Sequence, residues 1–345
     1  MRNTFVTAAS AVVLSLALHA SALGAEISSI AILTPEEGTD YGWNQQGIDA
    51  CKAAAEAAGI TCEVAQGLGY GDVRPALREL SEDGAGLMIA HASGYNTAAP
   101  EIASETKTPV AIVDTPQGLQ KGLVADYTLS GHEGAYLAGR LAAKMSRSKH
   151  VGIVVSGEPP SWNAQSAGFA QGVKAENGDV KITYAVIGPA AYSDAAGGRR
   201  VTESVIAAGA DIIFGQGNGS SFGMLQAVET TKAADGGKVY FIDVIGDKTP
   251  VSKGFLLSSV VWNITPIYAA MIKDIKDDTF GTKHYAIGLT DDSVKLLKTD
   301  QIPDDVWGAV QKIRDQMISG EIKIEPVFEA TAVRGLMTDV SAAAQ

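Results

Sequence analysis

The stretch ISSIAILTPEEGTDYGWNQQGIDACKAAAEAAGITCEV, residues 27–64, carries the pattern that decides the fold. A short apolar run at 30–33 gives way to a Gly- and Asp-containing loop. An Ala-rich amphipathic segment follows, and then a second apolar run at 60–64. Runs of Ile and Val bounded by Gly and Pro, each followed by a helix, belong to parallel sheets covered on both faces.

The same unit recurs down the chain, with further runs at 86–90, 110–114, 151–155, 182–187, 211–214 and 239–244. Helical segments such as HEGAYLAGRLAAKMS and RRVTESVIAAG lie between them. Eight such runs suit a closed (β/α) barrel as well as two open, doubly wound sheets. Two features favour the open sheets. After Pro250 the helical segments are followed by irregular sequence without a barrel's even pitch, and DTPQGLQKG at 114–122 breaks the rhythm as a connection between domains would. A length of 345 residues also asks for more than one core.

The first 25 residues read differently. Arg2 is the only charge, residues 8–20 are almost wholly apolar, and HASALGAE offers small residues at two cleavage points. This is the layout of a secretory signal peptide, too short for a stable membrane span. No Cys stands near the cleavage points, so an exported, soluble protein without a lipid anchor is expected. Removing the leader leaves 26 Lys and Arg against 39 Asp and Glu, a net charge of −13. A chain this acidic repels phosphate backbones and anionic lipid surfaces, which argues against nucleic acid as a partner. The two cysteines, Cys51 and Cys62, straddle a helix-to-strand turn. In an oxidising compartment they fit a bridge, and they fit two separate buried thiols equally well.

In open α/β sheets ligands bind outside the carboxyl ends of the strands. The residues just past each apolar run are therefore the candidates. Asp40, Trp43 and Asn44 follow the first run; His91, Ser93 and Tyr95 follow the third; Asp114 ends the fourth. Trp162 follows VSGEPPS, and Gly215, Gly217 and Asn218 lie in FGQGNGSS. Asp243 closes YFID, and Trp262 closes LLSSVVW. A loop that only had to turn the chain has no use for indole, so Trp43 reads as a stacking surface for a flat ring. Asp114 and Asp243 suit either a ligand's N–H and O–H donors or the cap of a following helix. The glycine-rich loop either lets backbone approach a ligand closely or makes a tight turn. His91 and Tyr95 fit ordinary loop roles as well as binding. Nucleotide-fold, Walker, zinc-protease and serine-hydrolase motifs are all missing, and no nucleophile–base pairing stands out.

Several segments together carry a resemblance. D-x-x-[FW]-N is present as Asp40-Tyr41-Gly42-Trp43-Asn44. It is followed in order by AIVDT, GHEGAYLAGRLAAKMSRSKHVGIV, SAGFAQGVKAEN, GADIIFGQGNGSSFGMLQAV, FIDVIGDKTP, LLSSVVWNITPIYAAMI and ISGEIKI. From about Ile27 to Val333 the chain resembles the basic membrane protein family of ABC-transporter solute-binding proteins, which includes purine nucleoside receptors. The resemblance implies the type I periplasmic-binding fold: two doubly wound parallel-sheet domains with a hinge and a ligand cleft. The lobes would be 26–126 plus 244–282 and 127–243 plus 283–338. It also implies that Trp43 stacks on the ligand ring, that Asn44 and Asp114 bond the base edge, that Asp243 holds a ribose hydroxyl, and that residues 215–219 line the second wall. One departure stands out. Where the family places a Lys after TSVV, this chain has Trp262 after SSVV, so the cation that would meet ribose hydroxyls or balance Asp243 is expected to be missing. A free base or another flat heterocycle then fits as well as a nucleoside. The expectation is a monomeric, cofactor-free periplasmic receptor working with an inner-membrane ABC permease. An exported nucleoside hydrolase using Asp114 or Asp243 as base, and a sensor without transport, are the other readings.

Overall fold

The computed structural model describes residues 27–129 and 131–341; the expected signal peptide lies outside them. The chain begins with β1 (Ser29–Leu33), α1 (Trp43–Ala58), β2 (Thr61–Ala65), α2 (Arg74–Glu82), β3 (Met88–Ala90), α3 (Ala98–Thr106), β4 (Val110–Val113) and β5 (Val124–Thr128). It continues through α4 (His132–Met145), β6 (His150–Val155), α5 (Pro160–Glu176), β7 (Lys181–Val186), α6 (Ala195–Ala207), β8 (Ile212–Gln216), α7 (Ser220–Thr230), β9 (Tyr240–Ile245) and β10 (Leu256–Trp262). Last come α8 (Thr265–Lys276), β11 (His284–Ala286), β12 (Val294–Leu296), α9 (Asp304–Ile318), α10 (Ala330–Arg334) and β13 (Asp339–Ser341).

Two sheets form, as expected of open doubly wound domains. The first has the order β11-β5-β4-β3-β1-β2 with every pair parallel. The second has the order β12-β10-β9-β8-β6-β7-β13, with β12 antiparallel to β10. In each, the chain starts inside the sheet, steps out by one strand and then winds the other way. The reversal points fall between β1 and β3 and between β6 and β8. The strands at these points, SIAIL, MIA, HVGIVV and IIFGQ, are buried along almost their whole length because helices cover both faces.

The sheets divide the chain differently from the expected boundaries. Leu256–Trp262 pairs with β9 in the second sheet, whereas the division at 244–282 assigned it to the first lobe. His284–Ala286 pairs with β5 in the first sheet, although the division placed it in the second lobe. The segment 114–122 is no interdomain connection; it turns within the first sheet and leads into β5. The crossings occur between β5 and α4, between β10 and α8, and between β11 and β12. Strand β5 escapes a hydropathy reading because Asp126 interrupts it. That buried carboxylate is tolerated since His284 Nδ1 lies 2.6 Å from its Oδ2 and the Thr115 N–H donates to Oδ1.

Cys51 of α1 and Cys62 of β2 are bridged, which settles that alternative and staples the first helix to its neighbouring strand. In the second lobe α4 and α5 pack almost backbone to backbone. A Cβ on Gly139 would stand 2.1 Å from the Phe169 carbonyl oxygen, and one on Gly172 would stand 2.1 Å from that of Tyr136. Only hydrogen fits at these crossings.

Candidate functional site

Loops at the carboxyl ends of both sheets face one another across a narrow cleft. The first lobe contributes Trp43 after β1, Ser93 after β3 and Asp114 after β4; the second contributes Trp162 after β6, Tyr192 after β7 and Asn218 after β8. This is the site the strand-end rule selects.

Trp43 is held from behind. Its indole N–H donates to the His91 carbonyl at 2.8 Å, and its ring stacks on the His91 imidazole with centroids 3.8 Å apart and planes at 11°. The Trp43 carbonyl lies 2.9 Å from His91 Nε2. A carbonyl can only accept, so Nε2 carries the proton and Nδ1 is the acceptor, with the hydroxyls of Tyr127 (2.8 Å) and Tyr268 (2.9 Å) beside it to donate. Burial pushes the His91 pKa down to about 4, which keeps the ring neutral. Gly47 makes room for it: a Cβ there would be 2.5 Å from Nε2. His91 thus acts through Trp43 rather than lining the cleft.

Asp40 and Asn44 build the loop rather than the cleft wall. The Asp40 carboxylate accepts the N–H groups of Gly42, Asn44 and Gln45, each at 3.0 Å, and the Asn44 side-chain amide at 2.9 Å. It caps the start of α1, the structural role Asp performs best. Asn44 Oδ1 in turn accepts from the Glu36 N–H at 3.4 Å.

Asp114 sits at φ 53°, in the left-handed region where a non-glycine residue is strained. Burial pushes its pKa up to about 6, against hydrogen bonds from Ser161 in the other lobe and from the Leu129 backbone. Its Oδ1 has no partner, nor has Asn218 Oδ1.

Asp243 lies elsewhere. It is fully buried, with Oδ2 2.6 Å from the equally buried Lys248 Nζ. The cation expected to be missing is therefore supplied five residues downstream. Its ammonium also donates to the Tyr41 carbonyl of the first lobe at 3.3 Å. A buried carboxylate demands such a partner, but nothing in GDKTP marks the Lys as buried, because the other lobe covers it. Gly215 and Gly217 are packing positions. A Cβ on Gly215 would be 2.4 Å from the Phe241 ring, and one on Gly217 would be 2.0 Å from Ser220 Oγ. Trp262 is also buried and sets its ring edge-on to Trp43, centroids 6.4 Å apart.

Two tyrosines were missed. Tyr70 and Tyr192 line the cleft with rings 5.6 Å apart, one from each lobe. Both follow apolar runs, so the strand-end rule could have found them. Beside them the Tyr70 hydroxyl donates to Glu36 at 3.3 Å, and Ser193 of the second lobe hydrogen-bonds the same carboxylate. The loop between β1 and α1 therefore touches the second lobe at Glu36 and at Tyr41. No Lys, Arg or His is among the residues lining the cleft, and the described residues hold no cluster suited to a metal ion.

Residues 27–326 match the family profile described as ABC transporter substrate-binding protein, PnrA-like. Basic membrane protein A1 of Borrelia garinii subsp. bavariensis is 27% identical over 56% of this chain and 57% of its own length. A purine-binding protein of Brucella abortus is 24% identical over 82% of this chain and 79% of its own. The crystal structure of an ABC transporter solute-binding protein from Aeropyrum pernix K1 superposes with a TM-score of 0.76 at 19% identity, covering 90% of this chain and 96% of that one.

Proposed function

The chain belongs to the Bmp family of PnrA-like ABC transporter substrate-binding proteins, and from that premise we propose that it captures a purine base, a nucleoside or a similar flat heterocycle for an inner-membrane ABC permease. It is a periplasmic or secreted binding protein, not an enzyme. The observation that carries the ligand reading is the aromatic enclosure. Trp43, locked against His91, and Trp162 and Tyr192 of the opposite lobe border one cleft, with Asp114 among them. Indole faces stack well on flat rings, and a buried carboxylate accepts ring N–H groups. The purine-binding relative from Brucella abortus supports the same ligand class.

Capture works by closure. The contacts Lys248–Tyr41, Ser193–Glu36, Ser161–Asp114 and Tyr70–Tyr192 all run between lobes. They exist only when the cleft is shut, so a ligand that touches both walls shifts the population toward this form. A thermal-shift and calorimetric screen of the mature protein tests the reading with adenine, hypoxanthine, adenosine, inosine, ribose and arabinose. At 100 times its Kd a bound ligand adds about 2.7 kcal/mol of stability. Stabilisation by a sugar and by none of the heterocycles would refute it.

A further inference from the structure

Among the described residues that line the cleft, only Asp114 has left-handed backbone, with φ 53°. A turn that needed this conformation alone would carry Gly, which adopts it without steric cost. Asp in that place means that the side chain is wanted, and a strained residue persists only where its surroundings over-determine it. The angles φ and ψ of residue 114 are rotations of the two peptide planes that flank it, so whatever fixes both planes fixes the residue. Both are fixed. Ahead of it, Asn96 grips Val113 at both ends: Nδ2 donates to the Val113 carbonyl at 2.6 Å, and Oδ1 accepts the Val113 N–H at 3.3 Å. The same Nδ2 donates to Thr115 Oγ1 at 2.8 Å. The Asp114 N–H itself donates to the Tyr127 carbonyl at 3.0 Å. Behind it, the Thr115 N–H donates to Asp126 Oδ1.

These anchors come from three separate parts of the first lobe. Asn96 belongs to the loop between β3 and α3, Asp126 to β5, and His284, whose Nδ1 lies 2.6 Å from Asp126 Oδ2, to β11. None of the three lines the cleft. The residue they pin does: the Asp114 carboxylate is met by Ser161 of the opposite lobe, while its Oδ1 has no partner. Without the anchors, residue 114 would relax toward the extended region, a swing in φ of more than about 100°. Its Cβ turns with that rotation, and the carboxylate would leave its line toward Ser161. Building on the reading as a receptor whose cleft carboxylate meets the bound molecule, we infer that Asn96 and Asp126 are positioning residues: they hold Asp114 left-handed so that its carboxylate faces Ser161 and the occupant of the cleft. His284 supports Asp126 in this task.

Titration calorimetry with hypoxanthine and with adenosine, together with a crystal structure of Asn96→Ala, tests it. Asn96→Ala should weaken whichever probe wild type binds by about tenfold. In an Asp114→Ala background the same change should weaken it by less than about twofold, because no carboxylate is left to aim. Asp126→Asn keeps an oxygen for the Thr115 N–H and should stay within about threefold of wild type, whereas Asp126→Ala should behave like Asn96→Ala. The crystal structure of Asn96→Ala should show residue 114 with negative φ. Equal weakening by Asn96→Ala with and without the Asp114 carboxylate overturns the inference and makes Asn96 a plain loop staple. Unchanged binding overturns it too, as does a residue 114 that stays left-handed in Asn96→Ala. Where Asp114→Ala binds too weakly to titrate, that backbone angle decides. If wild type binds neither probe, the heterocycle reading falls, and the same angle still decides whether Asn96 holds the turn. Should Asp126→Ala fail to fold, Asn96→Ala, a change at a partly exposed loop residue, carries the test.

Discussion

Replacing Asp114 by Asn should make the free protein more stable at neutral pH while making it a poorer receptor. Burial raises the Asp114 pKa from 3.8 to about 6. Between those two values the folded protein holds a proton that the unfolded chain has released. Stability therefore falls as pH climbs from about 4 to about 6 and levels off above. A tenfold change in proton affinity corresponds to about 1.4 kcal/mol, so ionised Asp114 costs the fold about 3 kcal/mol at pH 7.5. Asn has the same shape, does not titrate, and can still accept from the Leu129 backbone. Urea unfolding of wild type and Asp114→Asn at pH 4.5, 5.5, 6.5 and 7.5 isolates the effect, because other titrating groups cancel in the difference. The variant's advantage should be about 1 kcal/mol at pH 4.5 and grow to about 3 kcal/mol at pH 7.5. A flat difference, or an advantage for wild type that grows with pH, would show that the carboxylate is stabilised as an anion and would refute the reasoning.

Lys248→Met should cost about 3–5 kcal/mol, because it strands the buried Asp243 carboxylate. Asp243→Asn/Lys248→Met should lose less, so a double-mutant cycle by urea unfolding would show strong coupling. Small-angle scattering of Lys248→Met should also give a larger radius of gyration, since the link to the Tyr41 carbonyl is gone. Gly172→Ala should destabilise by about 1–3 kcal/mol by forcing a methyl into the Tyr136 carbonyl, read as a lower urea midpoint.

The fold was legible where burial is continuous. All eight apolar runs became strands; seven are buried along most of their length, because covered parallel strands need apolar residues on both faces, and the eighth, β2, is a half-exposed edge strand. Strand β5 was not legible, since its buried Asp126 is satisfied by His284, 158 residues away. The strands β11, β12 and β13 are three residues each, too short to leave a period. In the cleft the strand-end rule found Trp43, Ser93, Asp114, Trp162 and Asn218 as lining residues. It could not tell a carboxylate that borders the cleft from one buried in the framework. Asp40 caps its own helix and Asp243 pairs with a lysine that becomes buried only when the lobes meet. Asn96 gave no signal at all, because an Asn in a loop is ordinary until its hold on the Asp114 turn is seen in three dimensions.

The glycine-sealed crossing of α4 and α5 bears on how the molecule moves. With peptide groups in direct contact, α5 can neither roll nor slide without collision, so Ser161 and Trp162 travel as one stiff anvil. Any adjustment to a new guest then falls on the strap of chain between Thr34 and Gly42 and on the three joints where the backbone passes between halves. A receptor built this way gives up little disorder in one jaw when it bites, and its variants with altered taste should arise more readily in the strap than in the anvil.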